Sequence, residues 1–351
     1  MRKHYGLIEA NYLMSATQPS EQTGKRAGRK YLYLGLVTAL VVGGWSLYWD
    51  LGSGVINDIY RNGKKVVAAQ GGELVCGQQE VSGYPFQFRL DCQPLRVETA
   101  LGWVEAAAAK AMTLAYNPQH VIVDMKAPIS GVVQNGPGYS ADFASTLLSA
   151  RLGTSGINNL DGEAKELTLS LVGLATPFQA SVKAAEVHIR RATQDDQDMQ
   201  LAASLSGLLL ETLGIEQPVE GKVRAVLKGG AALLSYQAPS FSQLAGSTDL
   251  QIVLENAKVI QGELSVSTKG TLKVRPNGQY EGTLPITVKG VDQLEAALLP
   301  FFPEGSQVPA SVARSAKGLG GDKGEVTLPI TFSDGRARLV FFDLGPVPPL
   351  F

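Results

Sequence analysis

The pattern of hydrophobic and polar positions divides the chain into an apolar N-terminal stretch and a long body of alternating positions. Residues 31–49, YLYLGLVTALVVGGWSLYW, contain no charged side chain. A helix of these 19 residues is about 28 Å long, close to the thickness of the apolar core of a bilayer. Its aromatic residues stand near both ends, as in the interfacial belts of transmembrane helices. The stretch therefore predicts one membrane-spanning helix.

Apolar and polar residues alternate in most of the body, which predicts β-strands with one buried face. The clearest segments are 86–91, 120–126, 165–171, 178–189, 222–228, 250–254, 262–275, 280–288 and 325–332. Pro276-Asn277-Gly278 and Asp334-Gly335 predict tight turns between neighbouring strands. This spacing of strands and turns is typical of antiparallel meanders.

Helical periodicity is less frequent. It predicts helices over 141–152, 204–213, 291–302 and 306–318, and a short amphipathic helix over 53–70. We therefore expect a mainly β fold with a few helices (α+β), built on a large curved antiparallel sheet that forms either an open trough or a sandwich.

The order of these elements predicts four parts of the chain: a disordered cytoplasmic segment (1–30), a transmembrane helix (31–49), a juxtamembrane helix (50–70) and a β-rich body (71–351). Blocks of strands and short helices recur over 71–200 and 220–351. The body is therefore also a candidate for two similar halves.

The charges beside the apolar stretch predict its orientation. Residues 1–30 carry six Lys or Arg and two Glu, a net charge of +4, and Lys25, Arg26, Arg29 and Lys30 immediately precede the stretch. The positive-inside rule then places the N-terminus in the cytoplasm and the body in the periplasm of a bacterial inner membrane. A cleaved signal peptide and a buried core helix are the alternatives. No small-x-small cleavage site follows the stretch, which disfavours the signal peptide.

The chain has two cysteines, Cys76 and Cys92. In a periplasmic body a disulfide is the expected state of such a pair. A turn signal at residues 82–85 and an alternating strand after it place the two cysteines on adjacent strands. Closing a loop of this length stabilises the fold by about 3 kcal/mol in the chain-entropy model. A redox-active or metal-binding pair is the disfavoured alternative, because the sequence has no CxxC and no histidine nearby.

The sequence contains no recognisable catalytic, nucleotide-binding or metal-binding motif. Its histidines, His4, His120 and His188, are isolated from one another, and the acidic run at 195–198 is typical of a solvated loop, with calcium binding as the alternative. The net charge of −1 gives no general attraction to nucleic acid. We therefore expect a protein without enzyme activity, cofactor or metal.

Three segments resemble parts of a known family of bacterial proteins. Residues 83–88 (GYPFQF), followed by Cys92, resemble a strand near the start of the family called domain of unknown function 2125. Residues 327–335 (TLPITFSDG) and 344–350 (LGPVPPL) resemble its closing hairpin, although Val340 and its neighbours stand where a Gly-rich turn is common. The resemblance implies an N-terminal membrane segment and no established activity. At the level of architecture, the chain is also similar to anchored periplasmic proteins of the AsmA type, whose curved sheet carries lipid.

Two functions follow from these expectations. One is the binding of lipid or another hydrophobic ligand in a trough of the sheet, and the other is a structural or assembly role in which the protein binds an envelope partner. If the same faces close into a sandwich core, no trough exists. The residues predicted to line the hydrophobic face are Phe86, Phe88, Leu90, Ile122, Leu169 and Leu171.

Overall fold

A single long helix opens the described part of the chain. The structure is a computed structural model, and it describes residues 24–69, 71–99, 102–134, 136–174, 177–192, 197–247, 250–320, 324–340 and 342–350. Helix α1 (Gly24–Ala69) contains the stretch Arg29–Ala69, which is long and apolar enough to cross a membrane. The chain divides into two units, Met1–Asp50 and Leu51–Phe351, and α1 contributes residues to both.

Helix α1 includes residues 31–49 and residues 50–69 of the second predicted helix, whose last residue, 70, lies outside the described residues. Residues 24–30 also belong to it. The prediction of a disordered cytoplasmic segment over 1–30 otherwise lies outside the described residues.

Sixteen strands form one antiparallel sheet in the second unit. They are β1 (Glu73–Ser82), β2 (Gln87–Thr99), β3 (Gly102–Leu114), β4 (Asn117–Val133), β5 (Gly138–Asp142), β6 (Ser145–Leu152), β7 (Ile157–Val172), β8 (Phe178–Arg191), β9 (Met199–Leu210), β10 (Ile215–Leu227), β11 (Gln251–Gln261), β12 (Leu264–Val274), β13 (Tyr280–Lys289), β14 (Glu325–Ser333), β15 (Arg336–Leu339) and β16 (Phe342–Pro346). The predicted mainly β fold is confirmed.

The strands follow one another in the sheet almost in chain order. The short strands β5 and β6 both lie between β4 and β7, because these two long strands have room for one short partner after the other. Among the described strands, β1 pairs only with β2 and β16 only with β15, so the ladder has two ends. All the described strands belong to this one hydrogen-bonded sheet. The ladder also runs without a break from β9 to β10, between the two predicted halves.

Three short helices pack on the sheet: α2 (Phe241–Ser247), α3 (Leu294–Leu298) and α4 (Val308–Gly320). Single 3-10 turns occur at Glu211–Leu213, Gly230–Leu234, Val291–Gln293 and Leu299–Phe301. The helices predicted over 291–302 and 306–318 are therefore confirmed. So are the turns between β12 and β13 and between β14 and β15, where Asp334 and Gly335 have the positive φ of 52° and 70° that a tight hairpin requires.

The helices predicted over 141–152 and 204–213 are wrong. The first segment forms the end of β5 and all of β6, and the second forms the end of β9 and one 3-10 turn. The first segment is rich in Ala and Leu and the second in Leu, and the helix propensity of these residues is a preference that tertiary context readily overrides. Each strand here pairs with a neighbour on both sides, and this pairing outweighs the local preference.

Candidate functional site

One face of the sheet carries a continuous series of apolar side chains. Residues directly opposite each other on antiparallel strands point to the same face, so a row of partners can be followed across the sheet. The first row crosses thirteen strands and consists of Val81, Leu90, Ala111, Val123, Leu148, Gly162, Val187, Ala203, Val223, Ala257, Thr268, Ile286 and Leu328. The row contains no charged residue. We call the face that it defines the apolar face.

A second apolar row runs beside the first on the same face. It consists of Ala164, Ala185, Leu205, Gly221, Val259, Val266, Val288 and Val326. Each of these residues is two positions from a member of the first row on its own strand, and side chains two positions apart in a strand share a face. The apolar face is therefore at least two residues deep along the strands from β7 to β14.

The opposite face of the same strands is polar. One of its rows consists of Arg89, Met112, Ile122, Ser149, Asp161, His188, Ala202, Arg224 and Asn256. Here Asp161 lies 2.8 Å from Nδ1 of His188, and Ser149 Oγ lies 2.8 Å from Nε2 of His120. This face carries the pattern expected of a sheet surface in contact with water.

The apolar face continues across a line where the alternation of the strands is interrupted. Gly77 on β1 lies opposite Pro94 on β2, and a Cβ at Gly77 would stand only 2.7 Å from Pro94 Cδ. Proline has no N–H to donate to the ladder, which favours such an interruption. A disulfide joins Cys76 on one side of this line to Cys92 on the other, with the Cα atoms 5.2 Å apart. Because their sulfur atoms are bonded, Cys76 and Cys92 point to the same face of the sheet. The rows that contain them, on the two sides of the line, therefore share that face.

The predicted disulfide is therefore present, but the two cysteines are not direct partners in the ladder. Cys76 lies opposite Leu95, and Cys92 lies opposite Gln79. The row that begins with Cys76 is again apolar and consists of Leu95, Ala106, Ile129, Ala141, Leu169 and Ala180. The next row on this side contains Leu171.

Parts of the chain itself cover the apolar face at three places. Near β1 and β2, the last turns of α1 pack on it: Gly52 stands against the buried ring of Phe88, and Asn57 accepts a hydrogen bond of 2.8 Å from Gln79. Near β12 to β14, helices α3 and α4 bury Val288, Val326 and other members of both rows. Between these regions, residues 230–247 form a separate core at one end of β9 to β12.

The middle of the apolar face forms a cavity of about 480 Å³. Its lining belongs to strands β8 to β12 and includes members of both apolar rows, among them Ala203, Val223 and Val259. The cavity reaches Val266, which also packs against the core beneath α3 and α4. A second apolar cavity, of about 370 Å³, lies between α4 and the strands β14 to β16.

The structure distributes the six predicted ligand-face residues among different environments. Leu90, Leu169 and Leu171 lie on the apolar face, and Phe88 lies on the same face but beneath α1. The remaining two lie elsewhere: Ile122 is on the polar face, and Phe86 is in the turn before β2 and 64% exposed. In the segment around Ile122, three consecutive apolar residues leave the choice of face open.

The residues that line the large cavity were not among those predicted. Their strands were recognised from alternation over 178–189 and 222–228, which was the available signal. The signal identifies which residues share a face, but it does not show which part of that face other elements of the chain will cover.

Asp198 is the one carboxylate that the described part of the chain buries. Its Oδ2 lies 2.6 Å from Nζ of Lys228, and its Oδ1 accepts a hydrogen bond of 2.9 Å from the Gly229 N–H. Burial alone would raise the pKa of Asp198, but the hydrogen bonds from Lys228 and Gly229 and the charge of Lys228 together lower it. The acidic run at 195–198, predicted to be solvated, thus ends in a residue that fixes the start of the segment 230–247.

The described residues contain no group of three or more His, Cys, Asp or Glu side chains that is suited to hold a metal ion. A polar depression of about 450 Å³ lies on the polar face, where His188, Arg190 and Arg224 stand beside Glu255. The charges there are of both signs. The apolar face is the more distinctive candidate site.

The fold and this face define a class of protein: a single large antiparallel sheet with one apolar face, preceded by a long apolar helix. Residues 66–348 match the family model described as an uncharacterized protein conserved in bacteria, DUF2125. Since the match covers most of the chain, the protein belongs to this family, and the resemblance seen in residues 83–88 and 327–335 is confirmed. No curated protein and no solved structure matches the chain.

Proposed function

We propose that this protein is anchored in the bacterial inner membrane and binds the acyl chains of a lipid along the apolar face of its periplasmic sheet, without catalysing a reaction. The observation that supports the proposal most strongly is the cavity of about 480 Å³ on two neighbouring rows that contain no charged residue. The volume is within the range of ordinary ligand sites.

The proposed location is supported by three features of the chain. Helix α1 contains a stretch that is apolar enough to span a bilayer, and four basic residues precede residues 31–49. The body carries the disulfide between Cys76 and Cys92, and disulfides persist in the periplasm but are rare in the cytoplasm. Together they favour a body on the periplasmic side.

The shape of the site favours an elongated ligand. The apolar rows run perpendicular to the strands, from one strand to the next, so the site is a track rather than a single deep hole. A track lined by Ala, Val and Leu shields methylene groups from water, which contributes about 0.8 kcal/mol for each one buried. Such binding requires no reacting side chain.

Two neighbouring alanines allow a matched test. Ala203 points into the cavity, whereas Ala202 lies on the polar face of the same strand, in the row of His188 and Arg224. The full-length protein and its variants Ala203→Asp and Ala202→Asp are purified in the same mild detergent, and bound phospholipid is counted by native mass spectrometry. Because both substitutions lie far from α1 in the chain, we expect the same amount of lipid around α1 in all three samples, and this amount serves as the background.

We expect the wild type and Ala202→Asp to retain a defined number of lipids above this background and Ala203→Asp to lose them. Circular dichroism and formation of the disulfide check that the body of each variant is folded. Equal lipid contents in the two variants would contradict the proposal. If an envelope protein copurifies instead, in an amount that depends on Ala203, the alternative role as an assembly factor is favoured.

A further inference from the structure

Four loops at one end of the strands contain aromatic residues or glycine and no charged residue. They are residues 83–86 between β1 and β2, 115–116 between β3 and β4, 153–156 between β6 and β7, and 235–240 before α2. Successive strands are antiparallel, so the loops that follow β1, β3, β6 and β10 all lie at the same end of the sheet.

Direct contacts join these loops to one another. The Ala115 N–H donates a hydrogen bond of 2.8 Å to the carbonyl oxygen of Phe86, and the Tyr236 hydroxyl donates one of 2.8 Å to the carbonyl oxygen of Gly153. Strands β4 and β6 are paired beside the second and third loops. The loops therefore form a continuous edge, which we call the aromatic rim.

The rim carries most of the exposed aromatic surface of the second unit. Its exposed aromatic residues are Tyr84, Phe86, Tyr116 and Tyr236, and the exposed Phe241 directly follows the last loop as the first residue of α2. Phe86 is 64% exposed and Tyr116 is 69% exposed. In the described part of this unit, the other strongly exposed aromatic residue is Phe301, which lies at the opposite end of the strands.

The chain enters the second unit beside this rim. Gly52 is the second residue of the unit and stands against Phe88, two residues from Phe86. Residue 49, the end of the apolar stretch, precedes Gly52 by only three residues, so the covalent chain allows at most about 11 Å between them. If residues 31–49 span the bilayer, covalent continuity keeps this end of the sheet near the membrane surface.

We propose that the aromatic rim docks on the bilayer and inserts Tyr84, Phe86 and Tyr116 into its interface. The inference rests on the membrane anchor of the proposed function. Aromatic side chains are favoured at this depth because an apolar ring meets the acyl chains while any polar group stays among the headgroups. The four loops themselves contain no charged residue whose desolvation would oppose insertion, while the acidic run at 195–198 follows β8 at the same end of the sheet and is not part of the rim. The row of Phe88, Thr113 and Val121 then brings the apolar face to the bilayer surface.

Photo-crosslinking in growing cells tests the rim with a matched control. Benzoylphenylalanine replaces Phe86, Tyr116 or Phe301 in the full-length protein, one position at a time. Phe86 and Phe301 are the same residue type and are similarly exposed, 64% and 60%, but lie at opposite ends of the strands. After irradiation, the purified protein is analysed by intact mass spectrometry for adducts with phospholipid.

We expect several-fold more phospholipid adduct at positions 86 and 116 than at 301. Equal amounts of adduct at all three positions would overturn the proposal that the rim docks on the bilayer. Adducts with a protein in place of lipid at 86 and 116 would overturn it as well. Extraction of the membranes with alkaline carbonate separates this failure from that of the anchor. If the chain stays in the membrane but gives no lipid adducts at the rim, the proposed anchor is supported and the docking of the rim is contradicted. If carbonate extracts the chain, both proposals are contradicted.

Discussion

The second apolar row, which contains Val259 and Val326, lies in two different environments along its length. Val326, beneath α4, is 6% exposed, whereas Val259, three strands away in the sheet order, is 48% exposed. The two side chains are of one type, lie on one face and belong to one row. A sheet face in contact with water ordinarily carries polar residues. The uncovered part of the row therefore has the composition of a buried surface, which is the property that a bound apolar ligand requires.

The opposite face shows that this composition is not general to the strands. Ala203 and Val223 face the cavity, while His188 and Arg224, on the same group of strands, form a polar row. The apolar composition is therefore confined to one face, and it continues on that face beyond the helices that cover it.

The largest effect is expected when a charge is placed in the core beneath α4 and compared with the same charge in the uncovered cavity. Ala316 on α4 is fully buried, and Ala316→Asp places an unpaired carboxylate in the core beneath the helix. We expect a loss of about 4 kcal/mol in the free energy of unfolding. Ala203→Asp should cost less than about 1 kcal/mol, because its carboxylate reaches water in the unliganded cavity. Denaturant unfolding followed by circular dichroism measures both, and equal losses would remove the distinction between the two regions.

A smaller effect compares the two valines of the shared row. Val326→Ala removes two buried methyl groups from beneath α4, and we expect a loss of about 2 kcal/mol. Val259→Ala removes the same groups from a half-exposed position and should cost under about 0.5 kcal/mol. The difference between the two midpoints of unfolding is the measurement. A cost at Val259 as large as that at Val326 would indicate that another part of the chain covers the cavity in solution.

The smallest expected effect concerns the cover formed by residues 230–247, which Asp198 fixes at its start. Since the pKa of Asp198 is lowered in the folded state, its ion pair stabilises the fold above the ordinary aspartate pKa of about 3.9. This contribution is lost as the pH falls through the lowered value. Asp198→Asn should cost about 1 kcal/mol at neutral pH, and the difference from the wild type should vanish in acid.

Asp292 provides the matched control for this prediction. Its carboxylate lies 2.6 Å from Nζ of Lys317, the same distance as in the Asp198 pair, but the side chains of Asp292 and Lys317 are both exposed to water. Ion pairs of this kind contribute little to stability. Asp292→Asn should therefore leave the free energy of unfolding nearly unchanged at both pH values. A pH dependence of equal size in the two variants would contradict the assignment to Asp198.

Sequence reasoning located most strands because one-faced burial leaves a period of two, and it found the disulfide because only two cysteines exist. It assigned Leu90, Leu169 and Leu171 to the face on which the structure places them. Ile122 shows the limit of the method, since Val121 and Val123 beside it are equally apolar. A shift of one residue moves every side chain of a strand to the other face.

The interruption at Gly77 and Pro94 adds a second limit. At this interruption the alternation of the strand shifts by one residue. Apolar positions before and after it therefore do not all lie an even number of residues apart. In 141–152 and 204–213, by contrast, the local preference for helix was real but weaker than pairing with strands that lie far away in the chain.

The sequence by itself determined the elements whose causes are local: the long apolar helix, the alternating strands, the hairpin turns at 276–278 and 334–335, and the membership of the family. Only the tertiary structure decided which apolar residues are covered. That outcome depends on where α1, α4 and residues 230–247 pack, and these contacts join positions separated by tens of residues. The alternation of a strand records that one face avoids water, and the rest of the fold decides whether protein or a ligand covers it.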